Sequence, residues 1–167
     1  SEARAANVSS GADGNWSSPS TWASTVRTGT ITYVIDSPEI VGTGTAFLTE
    51  LAVGSIITSA SGRGNISVVV ASITDDTHLT VTTNAGLTSS GAKSFSSRNV
   101  PTASDDVTIA NGDAVVVDTD VSCASLKFPT GNSASSSLDI NAGTLTVSGT
   151  VTIPRAASPA FNIMSVN

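Results

Sequence analysis

The sequence predicts an all-β protein, and both its composition and its apolar pattern point to this class. Of the 167 residues, 28 are Ser and 23 are Thr, and most of the 39% apolar share is Val, Ile, Leu and Ala. Val, Ile and Thr suit the pleated surface of a sheet, whereas Ser, Thr, Val and Gly are mediocre or poor helix formers. Apolar residues do not recur with the 3.6-residue period of a helix over any long stretch. They alternate with polar residues in short runs instead.

Period-two alternation places the predicted strands one after another along the chain. Turn signals such as Asn111-Gly-Asp113 and Asn141-Ala-Gly143 separate the later runs. Because each short strand buries one face only, the strands must stack as a sandwich, a barrel or a solenoid. The alternating apolar positions are Ile31, Tyr33 and Ile35; Ile66, Val68 and Val70; Leu79 and Val81, followed by Thr83; Val107 and Ile109; Val115 and Val117; Leu126 and Phe128; Leu138 and Ile140; Leu145 and Val147; Val151 and Ile153.

The two parts of the chain differ in the spacing of their strands. Residues 104–153 carry short, closely spaced strands, and three segments are almost a repeat: Leu138-Asp-Ile140, Leu145-Thr-Val147 and Val151-Thr-Ile153. Such spacing predicts a β-solenoid or a tight β-sandwich, in which successive strands bury similar apolar residues. Residues 28–97 carry longer strands with hairpin turns, which is the pattern of a small closed barrel.

Charge and composition exclude several function classes. The net charge of −6, with basic residues scattered singly, leaves no basic face for nucleic acid. No apolar run approaches the roughly 18 residues of a membrane span. Cys123 is the single cysteine, so no internal disulfide can form, and its strand-like setting predicts a small buried thiol. The first residues lack the basic and apolar regions of a signal peptide, so we expect synthesis in the cytoplasm.

The titratable residues form no recognisable catalytic or metal-binding motif. His78, the single histidine, follows Asp75-Asp76 at a turn signal, which favours a surface turn residue over a Ser-His-Asp relay. A zinc site would need several His or Cys ligands, and the sequence has one histidine and one cysteine, far apart. Clustered carboxylates lack the spacing of a calcium loop, so we predict that they cap turns, with a bound cation as the alternative. We predict no catalytic residue, metal or cofactor. The clustered carboxylates are Asp105, Asp106, Asp113, Asp118 and Asp120.

Two of the few aromatic residues are tryptophans six positions apart. We predict that Trp16 and Trp22 are large apolar anchors that close one end of the solenoid core. The functional alternative is a sugar-stacking platform, in which Tyr33 and the barrel module complete a glycan site.

The last segment, Thr152 to Val166, is apolar and is interrupted by Pro154 and Pro159. It cannot bury its large residues within a strand of its own, so we expect it to pack on a neighbouring subunit or to finish the core as an edge strand. Arms that exchange between subunits secure symmetric shells and trimers, so we expect a homo-oligomer. The contact residues predicted here are Phe161, Ile163, Met164 and Val166.

A first resemblance concerns two segments, Gly14-Asn-Trp-Ser-Ser-Pro-Ser-Thr-Trp22 and Val100-Pro-Thr-Ala-Ser-Asp-Asp-Val-Thr-Ile-Ala-Asn-Gly-Asp113. Together they resemble the opening of β-solenoid-like modules in secreted bacterial surface proteins and phage structural proteins, where the second segment normally follows almost at once. The long separation here implies an insertion. We therefore predict a β-solenoid or β-sandwich module from residues 1–27 and 99–167, with a small β-barrel inserted at residues 28–98.

A second resemblance covers the chain from Val41-Gly-Thr-Gly-Thr-Ala-Phe47 to Asp76-Thr-His-Leu-Thr-Val81. This stretch resembles a small β-barrel module that recurs in bacteriophage virion proteins, especially tail-fibre and particle-surface proteins. Neither resemblance brings a catalytic motif that these residues match.

These observations lead us to expect a non-enzymatic structural protein at the surface of a bacteriophage particle. Within that class we expect a capsid decoration, or cement, protein that binds the major capsid protein or other virion proteins. Binding only the assembled lattice stabilises that lattice by mass action. One alternative is a tail-fibre or receptor-binding module for cell-surface glycan. Another is a secreted bacterial surface-layer or filament subunit outside the cell.

Overall fold

The computed structural model describes residues 6–128, 136–153 and 163–165, and these residues are predominantly β. The chain divides into two compact units. One contains Ser24–Asn99, and the other joins Ala3–Ala23 to Val100–Asn167. We call the first the antiparallel unit and the second the parallel unit, after the pairing of their strands. The sequence predicted a module starting at residue 28, whereas the antiparallel unit already includes a strand at Thr25–Val26.

Short strands dominate both units, because Ser, Thr and β-branched residues alternate between frequent turns. The described elements, in chain order, are β1 (Asn7–Ser9), β2 (Gly14–Asn15), a single 3-10 turn (Pro19–Thr21), β3 (Thr25–Val26), β4 (Thr30–Tyr33), β5 (Glu39–Thr43), α1 (Phe47–Glu50), β6 (Ile56–Ala60), β7 (Asn65–Ile73), β8 (His78–Val81), β9 (Phe95–Arg98), β10 (Asp106–Thr108), β11 (Ala114–Val117), β12 (Val121–Cys123), β13 (Ser125–Lys127), β14 (Ser137–Ile140), β15 (Leu145–Val147), β16 (Val151–Thr152) and β17 (Ile163–Ser165).

In the parallel unit each strand pairs in parallel with a strand from the next pass of the chain. We call each such pass a turn of the parallel unit. One sheet has the order β1-β10-β13-β16, a second has the order β17-β14-β11-β2, and β12 pairs with β15. In-register pairing places equivalent side chains above one another, so the inward positions form apolar ladders. One ladder contains Val8, Val107, Leu126 and Val151.

Two tryptophans close the first turn of the parallel unit. Their rings meet edge to face with centroids 4.9 Å apart, and the indole Nε1 of Trp22 donates to the Trp16 carbonyl oxygen at 2.9 Å. Ser10 and Trp22 form an antiparallel bridge, so the segment 21–23 covers the outer edge of the first turn. Both rings are buried, which confirms the prediction that they are core anchors.

The antiparallel unit is a seven-stranded sheet with the order β3-β9-β6-β7-β8-β5-β4. Ile31 of β4 exchanges two backbone hydrogen bonds with Lys93, of 2.8 and 2.9 Å, so the last strand in this order bonds back to the segment that leads into β9. Phe47 and Phe95 meet edge to face inside the unit. Its largest buried residues are Tyr33, Phe47, Ile31, Ile40, Ile57, Leu79 and Val70.

Two predicted strands end earlier than the alternation suggested. The inward position predicted for Ile35 is wrong, because β4 ends at Tyr33 and Ile35 lies exposed in the following turn. Asp36 takes a φ of 63° there, a left-handed conformation that Asp tolerates better than most residues. Strand β8 likewise ends at Val81, so Thr83 lies outside it and is exposed.

Candidate interaction surface

The predicted glycan platform does not form a surface. Trp16 and Trp22 lie in the core of the parallel unit and Tyr33 in the core of the antiparallel unit, each almost fully buried. Sugar stacking needs an exposed ring face, and none of these three rings offers one. The three residues therefore act in folding, and we do not retain them as a binding site.

The predicted contact residues of the tail fall partly within the described structure. Ile163 and Met164 belong to β17, which pairs with β14 and lies at the edge of its sheet. This placement agrees with the expectation of an edge strand that extends the core. Phe161 and Val166 lie outside the described residues.

The His78 cluster closes a turn and is not arranged as a proton relay. The imidazole Nδ1 of His78 lies 3.1 Å from the nearer carboxylate oxygen of Asp75 and 3.0 Å from the Thr77 hydroxyl. A relay needs the carboxylate and the hydroxyl on opposite ring nitrogens, whereas here both approach the same one. Asp75 also accepts the Thr77 backbone N–H at 2.7 Å. His78 is therefore the exposed turn residue that the sequence predicted.

Asp75 makes the stability of this turn depend on pH. Hydrogen bonds from the backbone and the hydroxyl of Thr77, and then from His78, lower the pKa of Asp75 from 3.8 to about 2. Since the folded pKa lies below the unfolded one, the carboxylate stabilises the fold above pH 3.8, and this contribution is lost as the pH falls through about 2.

We therefore expect Asp75→Asn to lower the urea midpoint of unfolding at neutral pH, with the wild-type and variant midpoints converging as the pH approaches 2. An NMR titration of the Asp75 carboxyl carbon checks the pKa directly. Equal midpoints for the two proteins at neutral pH would contradict this prediction.

Three of the five clustered carboxylates, those of Asp105, Asp118 and Asp120, accept backbone N–H groups as predicted for turn caps, whereas Asp106 and Asp113 accept the hydroxyls of Ser125 and Ser10. Asp105 is buried and accepts the N–H groups of Ala6 at 2.9 Å and Thr102 at 2.7 Å. Asp118 accepts the hydroxyl and the N–H of Ser17, and the hydroxyl contributes most to lowering the Asp118 pKa. In the part of the chain that the structure describes, no three His, Cys, Asp or Glu side chains are grouped to hold a metal ion.

Cys123 is buried on β12, which confirms the predicted buried thiol. Burial, and after it the negative charges of Asp106 and Asp105, raises the pKa of this thiol. Because the thiolate is the nucleophile and the metal ligand, a raised pKa leaves Cys123 inert at neutral pH.

One outward face of the antiparallel unit carries short hydroxyl side chains in a row across the strands. The register aligns Ser96 of β9 with Thr58 of β6, and Thr58 with Ser67 of β7. We call these three residues the hydroxyl row; Val26 of β3 is paired with Ser96 and extends it. The row lines an open groove of about 500 Å³, whose other lining residues are Ser59, Ala60, Asn65, Ser94 and Phe95.

The hydroxyl row offers an even surface for contact. The side-chain oxygens of Thr58 and Ser96 lie 3.0 Å apart and bond to each other, so neither side chain extends far from the sheet. Val26 is 78% exposed and gives one end of the row an apolar rim. Short hydroxyl side chains lose little rotamer entropy when they are covered, so a partner can approach this face closely at low cost.

A smaller groove of about 330 Å³ lies on the parallel unit, beside Val121, Ser122 and Thr146. Its carboxylate, Asp120, accepts the N–H of Thr144 at 2.8 Å and thereby joins two successive turns. We therefore assign this groove a structural role.

Comparison with known proteins adds no relative: no family model, curated protein or solved structure matches the chain. The search for bilayer-spanning helices among the described residues finds none of sufficient length and apolarity. The hydroxyl row thus stands as a candidate site on its own geometry.

Proposed function

We propose that the chain is a non-enzymatic structural protein at the surface of a bacteriophage particle, where it binds the major capsid protein or a neighbouring virion protein as a capsid decoration protein. The hydroxyl row carries the proposal, because it is a broad, open and sparsely charged face suited to contact with another protein. The resemblance of residues 41–81 to a module of virion proteins supports the particle as its location.

The use of the reactive side chains also supports a structural role. Asp75, His78 and Asp105 hold turns, Cys123 is buried, and the tryptophans pack in a core. Each of these groups takes part in holding the fold.

We further propose that the parallel unit is a β-solenoid and that the antiparallel unit is a small closed barrel. Strand partners that lie 19 to 25 residues apart and pair in parallel support a solenoid over a sandwich. The two hydrogen bonds between Ile31 and Lys93 support closure of the barrel, because they join β4, the last strand of the order, to the segment that leads into β9, the second strand.

Electron microscopy of purified particles tests the proposed location. We expect density that fits the chain at regular positions on the capsid, and particles that lack the protein should lose their contents at a lower temperature. Density only at the tail tip would contradict the decoration role and favour the tail-fibre alternative. Absence of the protein from particles would overturn both.

A charged substitution in the hydroxyl row tests the binding face. We expect Ser96→Arg to weaken binding to shells that lack the protein by about 10-fold to 100-fold, because a long charged side chain disrupts a closely packed contact. Thr83→Arg, at an exposed position outside the groove, is the matched control and should bind normally. Unchanged shell binding by Ser96→Arg, or glycan binding that Ser96→Arg abolishes, would contradict the proposed contact.

A further inference from the structure

The last turn of the parallel unit leaves core positions uncovered. Along the ladder described above, Val107 is 1% exposed and Leu126 is 4% exposed, but Val151 is 48% exposed. All three occupy the same inward position in register, so the difference comes from their place in the stack. Val151 is exposed because no further turn covers it among the described residues.

A second series of inward positions shows the same change. Ile109 and Phe128 are buried, and the N–H of Phe128 donates to the Thr152 carbonyl oxygen at 3.1 Å, which places Ile153 beside Phe128 in the next turn. Ile153 is nevertheless 46% exposed. Two neighbouring ladders therefore end in large apolar side chains that are about half exposed to solvent.

The backbone at this end is also open. In the described structure β16 pairs with β13 on one side and forms the edge of its sheet on the other. An edge strand presents unpaired N–H and C=O groups that a strand from another chain can pair with.

The opposite end of the parallel unit is closed. There the segment 21–23 bonds along the chain at Ser9 and Gly11, with distances of 2.8 and 2.9 Å. A second copy therefore cannot place its first turn on β16 to continue the stack from head to tail. Contact between two copies through β16 must use the open end of both, which is the self-complementary arrangement of a two-fold dimer.

The charge distribution favours a second copy as the occupant of this end. The whole chain carries a net charge of −6, so most pairs of faces on two copies repel each other. The stretch from Ile140 to Ile153 contains no charged residue. The described strand at this end, β16, can therefore meet its own copy without bringing like charges from this stretch together.

We propose that two copies of the chain associate end to end through β16, with Val151 and Ile153 of each copy buried against those of the other. The two β16 strands pair antiparallel across the two-fold axis. A contact limited to one end of a stack is small, so we expect a dissociation constant on the order of 1–100 µM. The dimer does not depend on the proposed place of the protein in a virion.

Light scattering during size-exclusion chromatography of the full chain tests this dimer. We expect the wild type to change from monomer to dimer over the micromolar range and Val151→Asp to raise the dissociation constant by at least about 100-fold, because a carboxylate would be buried without a partner. Val34→Asp, at a position that is 56% exposed in the antiparallel unit, is the control and should dimerise as the wild type does. A wild type that stays monomeric at high concentration, or a Val151→Asp variant that still dimerises, would overturn the proposal.

Chemical cross-linking tests which face is used. Cys123 is buried, so an exposed cysteine introduced at position 152 is the accessible thiol. We expect Thr152→Cys to give covalent dimers with a short bis-maleimide, whereas Thr83→Cys should dimerise without becoming cross-linked under the same conditions. Dimers in solution without cross-linking at position 152 would place the contact on another face and overturn the proposal.

Discussion

Replacing Trp22 with alanine is expected to lower the unfolding free energy of the parallel unit by about 3–5 kcal/mol. The substitution removes a fully buried indole, its edge-to-face contact with Trp16, and the hydrogen bond from its Nε1 to the Trp16 carbonyl oxygen. It also removes the side chain that closes the first turn, so the apolar residues of that turn lose their cover. We expect Trp22→Ala to be among the most damaging single substitutions in this unit.

Urea unfolding followed by tryptophan fluorescence measures this effect, because both tryptophans of the chain lie in the parallel unit. Trp16 remains as the reporter in the variant. Trp22→Phe is the matched control: it keeps a buried ring but loses the hydrogen bond, and we expect it to cost about half as much. A loss below about 1 kcal/mol in Trp22→Ala would contradict the role of Trp22 as a core anchor.

Replacing Gly29 with alanine is expected to destabilise the antiparallel unit by about 3 kcal/mol or more, through backbone strain and a steric clash together. Gly29 has a φ of +78°, and an added Cβ would lie 2.5 Å from the carbonyl oxygen of Gly44 and 2.6 Å from that of Thr43. Those atoms belong to the backbone, so the clash is relieved only if the chain around β5 moves.

Gly91→Ala separates the two causes. Gly91 has nearly the same φ, +77°, but no atom lies within 4 Å of an added Cβ. We expect this control to cost only the left-handed strain, about 1–2 kcal/mol. Thermal unfolding of the two variants gives the difference. Equal losses would show that the close approach of Gly29 to β5 contributes nothing to stability.

Local patterns predicted the parallel unit well. Alternation placed Val107 and Ile109 inward on one strand and Val115 and Val117 inward on another, and all four are buried. Alternation depends only on neighbours along the chain, so it is readable from one sequence. Alternation cannot show which strand ends a stack. It therefore predicts the same inward position for Val107 and Val151, although Val107 is buried and Val151 is exposed.

The candidate site was harder to predict, because it depends on strands that are distant in sequence. Alternation from Ile66 to Val70 already places Ser67 on the outer face. The row forms only when β6 lies between β7 and β9, which brings Thr58 beside Ser96 from 38 residues away. The aromatic residues show the opposite problem: Trp16 and Trp22 suited both a core and a sugar site, and only their burial decides between these.

The insertion described above also affects how the chain reaches its fold. Within the parallel unit, Ala6 bonds to Asp105 across a separation of 99 residues, a contact that is slow to form when the intervening chain is unstructured. Pairing of Thr25 with Ser97 brings the two ends of the antiparallel unit together. Once that unit has folded, it acts as a short link, and the loop that must close between β1 and β10 is reduced to residues 10–24 and 98–105, which flank the pair of Thr25 and Ser97. The topology thus predicts an order of folding, in which the antiparallel unit forms first and the first turn of the parallel unit joins its stack afterwards.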